Sequence, residues 1–78
     1  MTNNEKYIDA FVRIFGVEAG EAEALEYQSI AAWDSVGHMS LMAELEDAFD
    51  IMMDTDDIID FSSFAKGKEI LAKYDVEF

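Results

Sequence analysis

The sequence contains no cysteine and no proline, and among its 78 residues there are only four glycines and five lysines and arginines. Without cysteine there is no disulfide framework, no thiolate metal ligand and no cysteine nucleophile, which is compatible with a reducing compartment. Scarce proline and glycine favour helices, because these residues most often form turns and break strands. No run of about 18 apolar residues is present, and the first six residues lack the plan of a signal peptide. We therefore expect a cytoplasmic protein without membrane insertion.

The charge balance is strongly acidic, since 18 Asp and Glu against five Lys and Arg give a formal net charge of −13. Phosphate backbones are bound mainly by Lys and Arg, so we expect no nucleic-acid partner. Hydrophobic residues make up 51% of the chain and aromatic residues 13%, far above the composition of disordered segments. The chain should therefore fold, as one domain covering residues 1–78. A domain this small favours a binding or carrier role, and we expect that it is not an enzyme.

Hydrophobic periodicity predicts the first helix and a long connection after it. Apolar residues recur at three- and four-residue spacing through Phe11 and Phe15, with Asn3 or Asn4 as the predicted cap and Gly16 as the end. From 17 to 33 the periodicity fails. We predict a loop there, held down by scattered apolar anchors, namely Leu25, Tyr27, Ile30 and Trp33.

Three further helices are predicted in the rest of the chain. The strongest helical segment runs from the Asp34-Ser35 pair to Phe49, and a short helix around 55–59 begins at Asp54 or Thr55. The last helix begins at Ser62 or Ser63 and contains Gly67, which we expect to weaken it by roughly 1 kcal/mol relative to alanine. The expected fold class is all-α, a small antiparallel bundle of three main helices plus one short helix.

The second predicted helix has two different faces. Its core face groups Leu41, Met42, Leu45, Ala48 and Phe49. The opposite face carries apolar residues beside carboxylates: Val36, Met39, Ser40, Ala43 and Asp47, flanked by Glu44 and Glu46. Such a mixture is typical of a protein-docking surface, although single exposed apolar residues are also common on ordinary surfaces.

The Asp34-Ser35 pair at the start of this helix allows two interpretations. A phosphate ester on the serine hydroxyl would face the free N–H groups and the positive end of the helix dipole. Alternatively, the pair is only a good helix cap.

The segment WDSVGHM at 33–39, followed by LM at 41–42, LE at 45–46 and FDI at 49–51, resembles the acyl carrier protein family. The resemblance extends over most of the chain: a first amphipathic helix, a long loop, the Asp-Ser-hydrophobic signature, a short helix and a last helix. Combined with the acidity and the short length, the signature is specific.

The resemblance implies that Ser35 carries 4′-phosphopantetheine, attached by a phosphopantetheinyl transferase that uses coenzyme A, and that Asp34 helps present the serine. The chain would then carry acyl groups as thioesters and deliver them to acyl-loading and acyl-transfer enzymes of fatty-acid, polyketide or specialised lipid biosynthesis. Those partners would have basic patches that dock on the face described above, from Val36 to Asp47, and the carrier would be a monomer. Leu41, Leu45 and Phe49 would line an acyl-chain pocket.

The chain departs from the pattern of housekeeping fatty-acid carriers, because Gly37, His38 and Ser40 occupy helix positions where acids are usual. This departure favours a carrier for a dedicated pathway. Two alternatives stay open: an aminoacyl or peptidyl carrier, and a small acidic interaction module without a prosthetic group.

Neither catalysis nor a metal site is expected elsewhere in the chain. His38 lacks the partners that a catalytic triad needs, so we expect it to pack or hydrogen-bond locally. The acids at 54–57 do not continue as a calcium loop, because Ile59 and Ala65 stand where glycine and glutamate are required.

Overall fold

The computed structural model describes all 78 residues and contains five helices. They are α1 (Asn3–Phe15), α2 (Ala19–Ala22), α3 (Ser35–Phe49), α4 (Thr55–Asp60) and α5 (Phe64–Ala72). There is no strand, and the only β-type pairing is an isolated antiparallel bridge between Glu26 and Ser63. None of the five helices combines the length and the apolar character needed to span a membrane. The predicted all-α class is confirmed.

The first helix begins one residue earlier than a cap at Asn3 predicts and two earlier than a cap at Asn4. Thr2 is the cap: its hydroxyl accepts from the Glu5 N–H while the Glu5 carboxylate accepts from the Thr2 N–H. This reciprocal pair satisfies two N–H groups at once, an advantage that neither Asn3 nor Asn4 has here. Gly16 ends the helix as predicted, in the left-handed conformation with φ 69°.

The starts of α3, α4 and α5 agree with the predicted alternatives. Asp34 caps α3 by accepting from the Gly37 N–H at 2.8 Å, and Ser63 caps α5 by accepting from the Lys66 N–H at 2.9 Å. Asp54 precedes α4 without a side-chain cap. The sequence prediction missed α2, because a helix of four residues is too short to show periodicity.

Sixteen buried apolar side chains form one core cluster, in which α1 packs against α3. The largest completely buried side chain is Trp33, from the connection before α3. Its indole ring lies 5.1 Å from the Phe15 ring and 5.6 Å from the Phe11 ring, between centroids. Tyr7 is also fully buried, and its hydroxyl donates to the Phe64 carbonyl at 2.7 Å. Burial raises the pKa of Tyr7, so this hydroxyl remains a donor.

Gly67 is required by the packing of α5 and is not the weak point that the sequence indicated. A Cβ at this position would overlap the Tyr7 hydroxyl and the Phe61 ring. The absent side chain therefore lets α5 approach the aromatic core closely.

A buried carboxylate joins α4 to the end of α5. Asp57 accepts from the Lys73 ammonium and the Tyr74 hydroxyl, and the Tyr74 oxygen accepts from the Asp54 N–H at 2.8 Å. The hydrogen bond from Lys73, followed by the one from Tyr74, lowers the pKa of Asp57. A carboxylate with a lowered pKa stabilises the fold above its unfolded pKa, about 3.9, and this contribution is lost as the pH falls through the folded value.

We predict that Asp57→Asn lowers the melting temperature by several degrees at pH 7, because the amide cannot pair with Lys73 as a carboxylate does. The difference from the wild type should shrink as the pH falls below about 3.9, where the carboxylate of the unfolded chain becomes protonated, and it should vanish once the pH has also fallen through the lower folded pKa. Thermal denaturation followed by circular dichroism across a pH series measures both effects. Asp56→Asn removes the same charge from an exposed neighbour without an ion pair and is the control. A pH-independent difference for Asp57→Asn would contradict the prediction.

Candidate functional site

Ser35 is the first residue of α3, and its hydroxyl is exposed and free of a capping role. The cap is Asp34, whose carboxylate accepts from Gly37 and whose carbonyl accepts from the His38 N–H at 2.8 Å. The Ser35 hydroxyl lies 3.2 Å from the Tyr27 hydroxyl, within hydrogen-bond distance. The sequence allowed the Asp34-Ser35 pair to be a helix cap or a site for a phosphate ester. In the structure Asp34 alone is the cap, and the serine oxygen remains accessible.

The backbone around Ser35 suits an anion. The N–H groups of Ser35 and Val36 have no backbone acceptor, as is usual in a first helical turn. A helix of 15 residues also directs the positive end of its dipole at this point. A phosphodiester on the Ser35 oxygen would lie where backbone donors and dipole both favour negative charge.

An apolar pocket of about 380 Å³ opens beside Ser35, between α3 and α4. This volume is at the lower end of the range for small-molecule sites, about 300–1,000 Å³. Met39 of α3 lies in one wall of the pocket, and Ile58 and Ile59 of α4 lie in the other. The full lining is Tyr27, Ser35, His38, Met39, Ile58, Ile59, Phe61 and Ser62.

His38 forms one side of this pocket and connects three segments of the chain. Its Nδ1 accepts from the Trp33 indole N–H at 2.9 Å, so the ring proton must be on Nε2, which donates to the Ile58 carbonyl at 2.8 Å. The planes of the Trp33 and His38 rings are nearly parallel, with an angle of 16° between them. The bond to Trp33 is local, as the sequence predicted, whereas the bond to Ile58 is not and holds the loop before α3 against α4.

Gly37 completes this arrangement. A Cβ on Gly37 would overlap the Ala32 carbonyl and touch the Phe15 ring. The loop can therefore lie against the first turn of α3 only because position 37 has no side chain. The contacts of Trp33, Gly37 and His38 together fix the position of Ser35.

The exposed face predicted on α3 is present, but its acidic border is smaller than expected. Five of the predicted partner-binding residues are exposed, namely Val36, Met39, Ser40, Ala43 and Asp47. Glu44 is half-buried and pairs with Arg13 of α1 at 2.9 Å. The half-buried Glu46 accepts from the Met53 N–H at 2.8 Å. These two carboxylates hold neighbouring segments in place, so Asp47 is the one acid of the predicted set that lies free on this face.

The residues predicted to line an acyl-chain pocket do not line the pocket beside Ser35. Leu41 and Leu45 are completely buried in the packed core, and the half-buried Phe49 packs against Phe78 at 6.3 Å. Leu41, Leu45 and Phe49 lie on the core face of α3, whereas residues 35, 38 and 39 of the same helix line the pocket. The opposite wall of the pocket is formed by α4 and the turn after it. Periodicity in the sequence cannot predict that these segments lie next to Ser35.

No protein-family model matches the chain. No curated protein and no solved structure is similar to it at a significant level. The function of the site is therefore inferred from its own residues.

We predict that Gly37→Ala destabilises the protein by about 1–3 kcal/mol, because the new methyl group forces the Ala32 carbonyl away from α3. In an unconstrained helix the same change would stabilise by up to about 1 kcal/mol. Gly20→Ala is the matched control: Gly20 lies in α2, and nothing is within 4 Å of the position of its Cβ. Chemical denaturation measures both variants, and a neutral or stabilising Gly37→Ala would contradict the close approach of loop and helix.

Proposed function

We propose that this protein is a carrier of the acyl carrier protein type, with Ser35 as the attachment site of 4′-phosphopantetheine. The observation that carries the proposal is the exposed Ser35 hydroxyl on the first turn of α3, which takes no part in capping because Asp34 is the cap, and which adjoins an apolar pocket. The order of the helices supports the same proposal, since a long first helix is followed by a long connection that contains only the four-residue α2, then by α3, a short helix and a last helix. As part of the same proposal, we infer that the helices are arranged in the antiparallel bundle of that family.

In the proposed attachment, the Ser35 oxygen forms a bond to the phosphorus of coenzyme A that bears the pantetheine. Adenosine bisphosphate leaves, and the serine proton passes to a base on a separate phosphopantetheinyl transferase. The residues present fit the group, because free N–H groups at the start of α3 favour the phosphodiester. Once attached, the arm supplies the thiol that this cysteine-free chain lacks and on which an acyl group is carried.

Partner enzymes would dock on the exposed side of α3 next to Ser35. Val36 is 75% exposed and Met39 55% exposed, so the serine is bordered by apolar surface that a partner can cover. Asp47 lies further along the same helix, and the overall charge of −13 favours partners with basic patches. The protein itself would deliver the cargo, while the partners perform the chemistry.

The first prediction from this proposal concerns Ser35 itself. Incubated with coenzyme A, magnesium and a promiscuous phosphopantetheinyl transferase, the wild type should gain the mass of one phosphopantetheine group by intact mass spectrometry. Ser35→Ala should gain none, because no other hydroxyl stands at the start of α3. Thr55→Ala removes an exposed hydroxyl from the start of α4 and should be modified like the wild type. An unmodified wild type, or a modified Ser35→Ala, would refute the carrier function.

The pocket favours an acyl cargo over an aminoacyl one. Its walls beside Ser35 are mostly apolar, and no acidic side chain lines it. Burying the ammonium group of an aminoacyl cargo there would cost several kcal/mol, whereas a hydrocarbon chain is stabilised by burial.

We therefore predict that a medium-length saturated acyl group, loaded on the arm at Ser35, shifts the methyl resonances of Ile58 and Ile59 relative to the unacylated carrier. A glycyl group should leave both resonances in place. The buried Ile70 methyls, which belong to the core and not to the pocket, are the internal control. Equal shifts from both cargoes, or no shift from the acyl chain, would remove the preference for acyl groups.

A second candidate function is an acidic interaction module without a prosthetic group. The exposed apolar side chains around the pocket favour it. Ile59 is one of these side chains and is 72% exposed. The mass measurement on the wild type separates the two functions, since a module without a prosthetic group gains no mass.

A further inference from the structure

Tyr27 is held next to Ser35 by contacts distant from it in sequence. Its N–H donates to the Ser62 carbonyl at 2.8 Å, and the preceding residue, Glu26, forms the isolated bridge with Ser63. The next residue, Gln28, has φ 66°, and its N–H donates to the Trp33 carbonyl at 3.0 Å. The backbone of Tyr27 is thus tied both to the turn after α4 and to the loop before α3.

The side chain of Tyr27 is oriented by two aromatic neighbours. Its ring lies edge-on to the His38 ring at 5.4 Å and to the Trp33 ring at 6.4 Å, between centroids. Since His38 is itself hydrogen-bonded at both nitrogens, the Tyr27 ring rests on an immobilised surface. The hydroxyl at its end reaches the Ser35 oxygen at 3.2 Å, and neither hydroxyl has another hydrogen-bonding partner in the protein.

We propose that Tyr27 is a positioning residue for Ser35: its hydroxyl selects the serine rotamer that faces the pocket, and so sets the direction in which a group attached to Ser35 leaves α3. The Ser35 side chain has staggered rotamers to choose among and is exposed, so burial does not hold it in one of them. One hydrogen bond favours one of these rotamers by about five-fold. Tyr27 also lines the pocket. A group attached to Ser35 in the selected rotamer would therefore extend across the opening of the pocket.

The second part of this inference rests on the proposed function. A phosphodiester on Ser35 offers only acceptor oxygens, and a tyrosine hydroxyl is a donor that can reach them from its present position. Hydrogen bonds to charged acceptors are stronger than those between two hydroxyls. Tyr27 would therefore hold the first atoms of the arm on the pocket side more firmly than it holds the free serine.

The unmodified protein tests the positioning of Ser35 directly. Three-bond couplings between the Hα and Hβ protons of Ser35 measure its rotamer populations by NMR. We expect one dominant rotamer in the wild type and a fall of about five-fold in its ratio to the others in Tyr27→Phe, which keeps the ring and removes the hydroxyl. Tyr74→Phe is the matched control: it removes a hydroxyl that contacts Asp57 and should reduce stability while leaving the Ser35 couplings unchanged. Averaged couplings in the wild type, or identical couplings in Tyr27→Phe, would overturn the proposal.

The phosphopantetheinylated protein tests the second part. The phosphorus-31 resonance of the phosphodiester should differ between the wild type and Tyr27→Phe and should coincide between the wild type and Tyr74→Phe. An identical resonance in all three would show that Tyr27 does not contact the arm. A wild type that accepts no phosphopantetheine would instead refute the proposed function, and the couplings of the unmodified chain would still decide the role of Tyr27.

Discussion

The hydrogen bond from the Trp33 indole to His38 is the contact on which the rest of the site depends. Trp33 is completely buried, so its N–H must find an acceptor inside the protein. His38 provides that acceptor and, through its other nitrogen, holds the Ile58 carbonyl of α4. Ser35 lies between Trp33 and His38 in the chain. Its position is therefore determined by a buried polar contact together with the close approach that Gly37 permits.

The acidic composition has more than one physical role. Several carboxylates are part of the structure: Asp34 caps α3, Glu46 accepts from the Met53 N–H, and Asp57 links α4 to α5. These groups are compensated by donors within the protein. The remaining exposed acids have few basic neighbours, since the chain has only five Lys and Arg. They give the surface a negative potential.

Much of the fold could be predicted from local patterns. Periodicity predicted α1, α3 and α5, because apolar spacing of three and four residues is a property of the helix itself. Start signals predicted the short α4 and limited the helix starts to Asp34-Ser35 and to Ser62 or Ser63, since a cap acts within one turn. The predicted cap of α1 was wrong because Thr2, Asn3 and Asn4 can all cap a helix and lie next to one another. The helix α2 was missed because it is too short to show a pattern. The role of Gly67 was misinterpreted because Tyr7, whose hydroxyl a Cβ at position 67 would overlap, lies far away in sequence.

The sequence by itself determined the all-α class, the start of α3, the exposed face of that helix and Ser35 as the candidate residue, because each depends on neighbours within a few positions. Only the tertiary structure decided what surrounds Ser35. The Tyr27 hydroxyl, the walls at Ile58 and Ile59, and the internal pairing of Glu44 with Arg13 all join segments that are distant along the chain. Such contacts depend on how the helices pack around the buried Trp33. For that reason the pocket lies between α3 and α4 and not in the core, where Leu41 and Leu45 already fill the space.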